Sequence, residues 1–354
     1  GVFKTTNDFR NKKAPTYKEI NTGYNTAQFY AFDVHPRGDI LGGTQDNGTF
    51  KFLMNGLTGK SYREVFGGDG FYTAISDLRP DVYIVERYWA DIGRSVDAGG
   101  SFNTGLYDEN IDLPDNLGSS NRTMFNTPFK MYENANDSLN KDSVTFAADT
   151  AIKLKQGATK TINDNQLLTY YRNDTAHFDS LGGNQFRAKA DLSELPGTNI
   201  QVRSQSGLDY NHELTQALRP EETVAIQDPV RALFAITLRN QVWVTDDMLN
   251  FSTNPTWFKV ADFGNGLNTP ISLDFTPDGK HLFVGGWTGN QGRVYRISGL
   301  RQAYYNYDKD DNVDSFVNKS GITVDKVADF NNIVSSVDVD PNDKERLIVT
   351  NGNY

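Results

Sequence analysis

The chain has 354 residues, a formal net charge of −10 at pH 7, 12% aromatic residues and no cysteine. Missing thiols exclude zinc-thiolate sites, cysteine nucleophiles and a disulfide framework, and the acidic balance argues against a nucleic-acid partner, which requires a basic stripe that is not visible here. No run of about eighteen apolar residues occurs, so no membrane-spanning segment is expected.

Glycine, asparagine, aspartate, threonine and tyrosine are plentiful, the palette of short strands joined by tight polar turns. The opening Gly1-Val2-Phe3-Lys4 reads as mid-motif, which points to a processed or truncated chain. Residues 2–6 and 17–20 look like a third and a fourth strand of a repeated unit. The first complete copy of that unit begins at 28–34 (QFYAFDV), turns at His35-Pro36-Arg37-Gly38-Asp39, and continues through 40–44, 49–53 and 62–66. Arg37-Gly38-Asp39 lies in a routine interstrand turn and carries no adhesive reading. A second copy runs through 71–76, 81–89 and 92–96, with a poorly marked outer strand.

That copy ends in Ser95-Val96-Asp97-Ala98-Gly99-Gly100-Ser101-Phe102, which fits S-x-D-x-G-x-[ST]-[FW] at every fixed position. A short acidic side chain can fold such a turn onto itself, and glycine supplies the positive φ it needs. The stretch resembles the Asp-box of BNR-type β-propellers, a hairpin signature that makes Asp97 structural rather than catalytic. Weaker relics stand at Thr245–Phe251 and at Thr6-Asn7-Asp8-Phe9.

Later copies are marked by first and second strands: 129–132 with 143–147, 223–227 with 232–237, 271–275 with 281–285, and 333–339 with 346–350. The turns Thr276-Pro277-Asp278-Gly279 and Asp340-Pro341-Asn342-Asp343 repeat the chemistry of residues 35–39. The interval from 129 to 223 is about twice the others, against a usual repeat of about 40–50 residues. The expected architecture is therefore an all-β propeller of seven four-stranded antiparallel blades, or six if residues 151–218 are an irregular insertion. In that segment 152–156, 167–172 and 200–204 read as strands and 214–218 as a helical turn. One domain covers 1–354, and the two ends supply one blade between them, closing the ring.

In such a unit, second-to-third turns and blade-to-blade connections lie at one end of the ring, where loops converge on ligands. That rule gathers Gln45, Asp46, Asp69, Tyr88, Trp89, Asp91, Trp287 and Asn290 into a candidate binding face for a sugar or peptide. Packing between blades is the other reading for Trp89 and Trp287. Asp46 and Asp69 also raise glycoside hydrolysis, which takes two carboxylates across a cleft. The segment 43–52 is similar to one carrying a catalytic aspartate in xyloglucan-hydrolysing propellers; those enzymes clasp their cleft with two propellers. The ordinary reading of Asp46-Asn47-Gly48 is a tight hairpin turn. Sialidases are set aside because no Arg-Ile-Pro segment occurs, and sortilin-like propellers because they depend on disulfides.

Asp308, Asp310, Asn312 and Asp314 set oxygens at alternate positions, the opening of a calcium loop, though its glycine and closing glutamate are missing. A solvated acidic hairpin is the alternative. The four histidines are scattered, so no transition-metal site is expected. Ser138, Ser143, Thr150, Thr175 and Ser180 each follow an aspartate and precede an apolar residue, which resembles the O-glycosylation sequon of Bacteroidetes. With 28–50, 67–102, 242–260 and 333–353, the chain resembles propeller regions of secreted Bacteroidetes surface proteins exported by type IX secretion. The resemblance implies an extracellular or outer-membrane-surface protein whose propeller is a non-enzymatic binding or scaffold domain of a larger assembly, with a protein or glycan partner. The alternative is a carbohydrate-active propeller.

Overall fold

A computed structural model describes residues 3–5, 16–20, 28–52, 62–107, 124–147, 156–163, 165–191, 199–214, 223–300 and 321–352. The period-two alternation becomes strand, because successive side chains point to opposite faces and each short segment can bury one side. β1 (Phe3–Thr5) pairs with β2 (Tyr17–Glu19). β3 (Phe29–Val34), β4 (Ile40–Thr44), β5 (Gly48–Phe52) and β6 (Tyr62–Phe66) form an antiparallel sheet in chain order. β7 (Gly70–Ile75), β8 (Tyr83–Arg87) and β9 (Asp91–Ser95) follow, with a fourth strand reduced to a bridge between Arg94 and Asn103.

β10 (Phe129–Asn134) opens a third sheet whose next member comes much later. Between them lie β11 (Ser143–Ala147), β12 (Thr159–Thr161), α1 (Asn165–Asn173), β13 (Phe178–Gly182), β14 (Gln185–Ala188), β15 (Asn199–Arg203), β16 (Asp209–Glu213) and β17 (Thr223–Gln227). β18 (Arg231–Leu238), β19 (Gln241–Thr245) and β20 (Phe258–Asp262) then complete the order β10-β18-β19-β20. β21 (Thr269–Phe275), β22 (His281–Thr288), β23 (Gln291–Ser298) and β24 (Thr323–Phe330) make another four-stranded sheet, and β25 (Ile333–Asp340) pairs with β26 (Asp343–Gly352).

The third unit corrects the sequence reading. Residues 129–132 do not pair with 143–147, nor 223–227 with 232–237. β10 pairs with β18 and β11 with β17, so the pairs are nested. Asn140 fastens the junction, its side-chain amide donating to Asp228 O at 2.9 Å and Val230 O at 3.1 Å. The segment between β10 and β18 is an excursion, and it absorbs both the unit expected to start at 223 and the unmarked one before it. Residues 167–172 lie in α1, not in a strand, because so short an apolar run has no decisive period. Tyr171 packs with Phe178 and Phe186 into a small core of its own, and Ile200, Val202, Leu214 and Ile226 form another.

Among the described residues, five sheets place their first strands around one cavity of about 540 Å³. Residues 31–34 of β3, 72–75 of β7, 129–131 of β10, 272–273 of β21 and 335–338 of β25 line it. Adjacent sheets pack face to face through apolar clusters. Leu41 meets Ile75 and Val85, Ile84 and Ile92 meet Phe234 and Trp257, and Leu233 and Val244 meet Leu273 and Val284. Val294 meets Val334 and Val337. Gly43 is required at the first of these contacts, since a Cβ there would lie 2.1 Å from Phe71 O. Among the described residues no ladder joins β26 to β1, so the blade expected from both termini is not formed by strand pairing.

The turn after β9 shows why Asp97 is structural. Its Oδ1 accepts the N–H groups of Gly100 and Ser101, both at 2.9 Å, and the Ser95 hydroxyl at 2.7 Å, while Oδ2 accepts the Ser101 hydroxyl at 2.9 Å. The Ser95 hydroxyl and these further donors hold the carboxyl down to about 2. Phe102 packs on Phe66 with ring centroids 4.9 Å apart. The relic at Thr245 keeps the same bond, its hydroxyl donating to Asp247 Oδ1 at 2.6 Å. Arg94, buried, reaches across to the carbonyls of Met248, Asn250 and Thr253 at 2.8, 2.9 and 2.5 Å. Asp97→Ala is expected to lower the melting temperature at pH 7. Because the folded carboxyl titrates below its ordinary 3.8, this contribution is present above that value and fades as pH falls toward 2. Circular dichroism melts of the two proteins should therefore converge in acid.

Candidate functional site

Three connections meet at one end of the first two sheets. The β4–β5 turn holds Asp46 at φ 63°, a left-handed conformation that aspartate tolerates better than most side chains. Its N–H donates to Asp69 Oδ1 at 2.7 Å, and Asn47 Nδ2 donates to Gln45 O at 3.0 Å. Gln45 Oε1 accepts the hydroxyl of Tyr30. Asp69 comes from the β6–β7 connection, where Gly68 sits at φ 95° and a Cβ would strike Arg87 Cδ at 2.7 Å. The third connection is the β8–β9 hairpin, in which Trp89 and Ala90 take φ of 62° and 61°.

Two successive non-glycine residues at positive φ are costly, on the order of 1–3 kcal/mol each, in a turn that Asn-Gly normally fills. The surroundings hold them there. Trp89 N–H donates to Phe125 O at 3.1 Å, and its ring meets Phe125 edge-on at 5.2 Å. Tyr88 stacks on Phe125 at 6.2 Å. The Tyr107 hydroxyl donates to Ala90 O at 2.5 Å, and Arg87 Nε bonds Asp91 Oδ2 at 2.6 Å beneath the turn. Fully buried Glu86 accepts the Thr127 N–H at 3.3 Å, and burial pushes its carboxyl well above the usual range.

The result is a cavity of about 440 Å³ lined by Asp46, Asn47, Gly48, Phe50, Glu64, Gly68, Asp69 and Tyr88. An aromatic relay runs beside it, Tyr30 to Phe71 at 4.8 Å and Phe71 to Phe125 at 5.1 Å. Three carboxylates and an amide thus face one hollow with a tyrosine on its wall, an arrangement that can bind hydroxyl-rich or cationic ligands. Of the residues gathered by sequence, Asp46, Asp69 and Tyr88 line this cavity, and Gln45 braces its turn. Trp89 is half-buried against Phe125, and Asp91 is buried in its ion pair with Arg87. Neither lines the hollow. Trp287 and Asn290, on the β22–β23 hairpin, are not part of its lining either. Asp308, Asp310, Asn312 and Asp314 lie outside the described residues, as does Thr150, while Ser138, Ser143, Thr175 and Ser180 are exposed. No cluster of potential metal ligands occurs among the described residues.

Glu64 and Phe125 escaped sequence reasoning. Glu64 sits on an outer strand, and only the Gly67-Gly68 bend behind it hints that β6 returns toward the β4–β5 turn. Phe125 lies in a connection with no periodic signal.

Around the inner cavity, acidic side chains bind backbone amides of neighbouring sheets. Asp33 Oδ2 accepts Ile75 N–H at 2.7 Å, Asp274 Oδ2 accepts Val339 N–H at 2.7 Å, and Lys130 Nζ reaches Asp274 Oδ1 at 3.0 Å. Glu133 accepts the Ser76 hydroxyl at 2.5 Å and Asp77 N–H at 2.7 Å, and burial pushes its carboxyl up to about 7.

No protein-family model matches the chain, and no curated protein matches it. Solved structures do. A protein from Lactobacillus plantarum is 11% identical, covering 99% of this chain and 71% of its own, with a TM-score of 0.42. A putative 6-phosphogluconolactonase from Bacteroides fragilis is 11% identical over 90% of this chain and 75% of its own, with a TM-score of 0.35. The Dos1 propeller is 11% identical over 91% and 75%, with a TM-score of 0.28.

Asp69→Ala should remove the acceptor that pins Asp46, so hydrogen exchange of the Asp46 amide quickens by roughly tenfold or more; Asp69→Asn, which keeps an acceptor oxygen, should largely restore protection. Glu133 carries a pH signature. Its folded carboxyl titrates near 7 against an ordinary 4.5, so its share of stability is present below 4.5 and is lost as pH rises through 7. Thermal melts of Glu133→Gln should accordingly vary less between pH 5 and pH 8 than those of the wild type.

Proposed function

We propose that the chain is a β-propeller acting as a non-enzymatic binding or scaffold domain of a larger secreted or outer-membrane-surface protein, and that a glycan or polar peptide seats in the Asp46–Asp69–Tyr88 cavity. The observation that carries this reading is the convergence of three connections, two of them with non-glycine residues at positive φ, on a hollow lined by carboxylates and an aromatic ring. Backbone strain held in place by neighbours is characteristic of binding and catalytic sites. The radial arrangement of five first strands supports the propeller part of the proposal.

Binding is favoured over hydrolysis because Asp69 already spends an oxygen on the Asp46 amide, as a structural acceptor does. The rival, a carbohydrate-active propeller using Asp46 and Asp69, draws on the presence of both carboxylates in one cavity. Calcium at Asp308, Asp310, Asn312 and Asp314 belongs to the same proposal and rests on the alternate spacing of their oxygens, while O-glycosylation at the exposed sequons and export by type IX secretion rest on the sequence resemblance.

A glycan array probed with the wild type, Tyr88→Ala and Asp46→Asn, run beside a hydrolysis assay on the glycans bound, separates the readings. Retention of a glycan class that falls at least tenfold in Tyr88→Ala, without product release, is the expected outcome. Turnover abolished by Asp46→Asn would establish the enzyme instead.

A further inference from the structure

Three first strands share a sequence that locates equivalent residues. Asp33-Val34-His35-Pro36, Asp274-Phe275-Thr276-Pro277 and Asp338-Val339-Asp340-Pro341 each place an aspartate three residues before the turn proline. The bonds they make follow one rule. Asp33 accepts the N–H of Ile75 in the next sheet, and Asp274 accepts the N–H of Val339, the residue immediately after the next sheet's own aspartate. A serine two residues earlier adds a second hold: Ser272 Oγ donates to Val337 O at 3.3 Å and accepts Val337 N–H at 3.0 Å.

β25 carries the same pair, Ser336 and Asp338, but among the described residues no bond joins either of them to another sheet. Ser336 instead donates to its own Asp338 Oδ2 at 2.8 Å. On β3, Val34 N–H turns to its own neighbour Asp33 Oδ1 at 2.9 Å. β3 also shows the bare apolar face of an uncovered sheet, with Phe32 68% and Val34 51% exposed, and Ile348 beside Asp338 on β26 is 60% exposed. Both strands line the same cavity.

We propose that Ser336 and Asp338 are a clasp for β3. Applied to the open junction, the rule joins Asp338 to Val34 N–H and Ser336 to the backbone of Phe32, while Phe32 and Val34 are covered by the β25–β26 sheet. The arc of five sheets then closes through side chains on its innermost strands, with no need for a ladder between the terminal strands. The occupant of the β3 flank is this chain's own last sheet rather than a second copy, because the two flanks already bound one hollow. The inference rests on the radial reading above.

The absence of cysteine gives a clean background for crosslinking. Phe32→Cys/Ser335→Cys would be treated with a short bismaleimide beside Ile271→Cys/Val337→Cys, the equivalent pair at the bonded β21–β25 junction. Both pairs should link within one chain and run as compact monomers on a denaturing gel. Adding Ser336→Ala and Asp338→Ala should cut the first link roughly tenfold, the weight of a lost charge-assisted bond, and leave the second untouched. The clasp is overturned if the control pair links while the first stays open, links only between chains, or ignores the added substitutions. A control pair that stays unlinked even when the protein is refolded from denaturant in the presence of the reagent, which gives access to the buried position 337, would overturn the radial arrangement, and the clasp with it.

Discussion

Neighbouring sheets are held in angular register by carboxylates on the innermost strands that accept backbone amides of an adjacent sheet. Apolar packing alone does not specify how far one sheet slides over another, since dispersion and burial are non-directional. A carboxylate that must meet one N–H removes that freedom. Asp33 on Ile75 and Asp274 on Val339 do this at 2.7 Å each, and Glu133 does it between the second and third sheets. Gly43 lets two strand backbones approach closely, and Gly285 leaves room for the side chains of Val334 and Val337.

The same precision explains why the Asp46–Asp69 hollow can exist. It is assembled from loops of two different sheets, and a loop site is only as exact as the frame beneath it. The Gly70 backbone sits so close to β5 that an added Cβ would lie 2.6 Å from Gly48 O, so the β6–β7 connection has one path. That path delivers Asp69 to the Asp46 amide. The energetic debt of Trp89 and Ala90 is met by the aromatic contacts of Phe125 and by the buried groups below the turn.

Much of this was legible because its causes are local. The Pro-containing turns at 36, 277 and 341, the Asp97 turn and all four strands of the first sheet follow from residues a few positions apart. Asp46 and Asp69 could be brought together from the order of strands within a unit. The nested third sheet could not, because Asn134 pairs with Arg231 across a long excursion whose own strands alternate just as well. A reading that joins each strand to its successor is then wrong twice, at β11 and at β17. The helix at 165–173 was hidden by the brevity of its apolar run, and Glu64 and Phe125 by lying where no periodic pattern singles them out.

The nested pairing also governs the order in which the protein can assemble. β10 waits until about a hundred further residues have been synthesised before β18 can close its ladder. In that interval the excursion can consolidate its two small cores, since neither draws a residue from the five radial sheets. The third sheet thereby closes the longest loop of chain among the described strand pairs, whereas the first two sheets need only their own neighbouring residues to form.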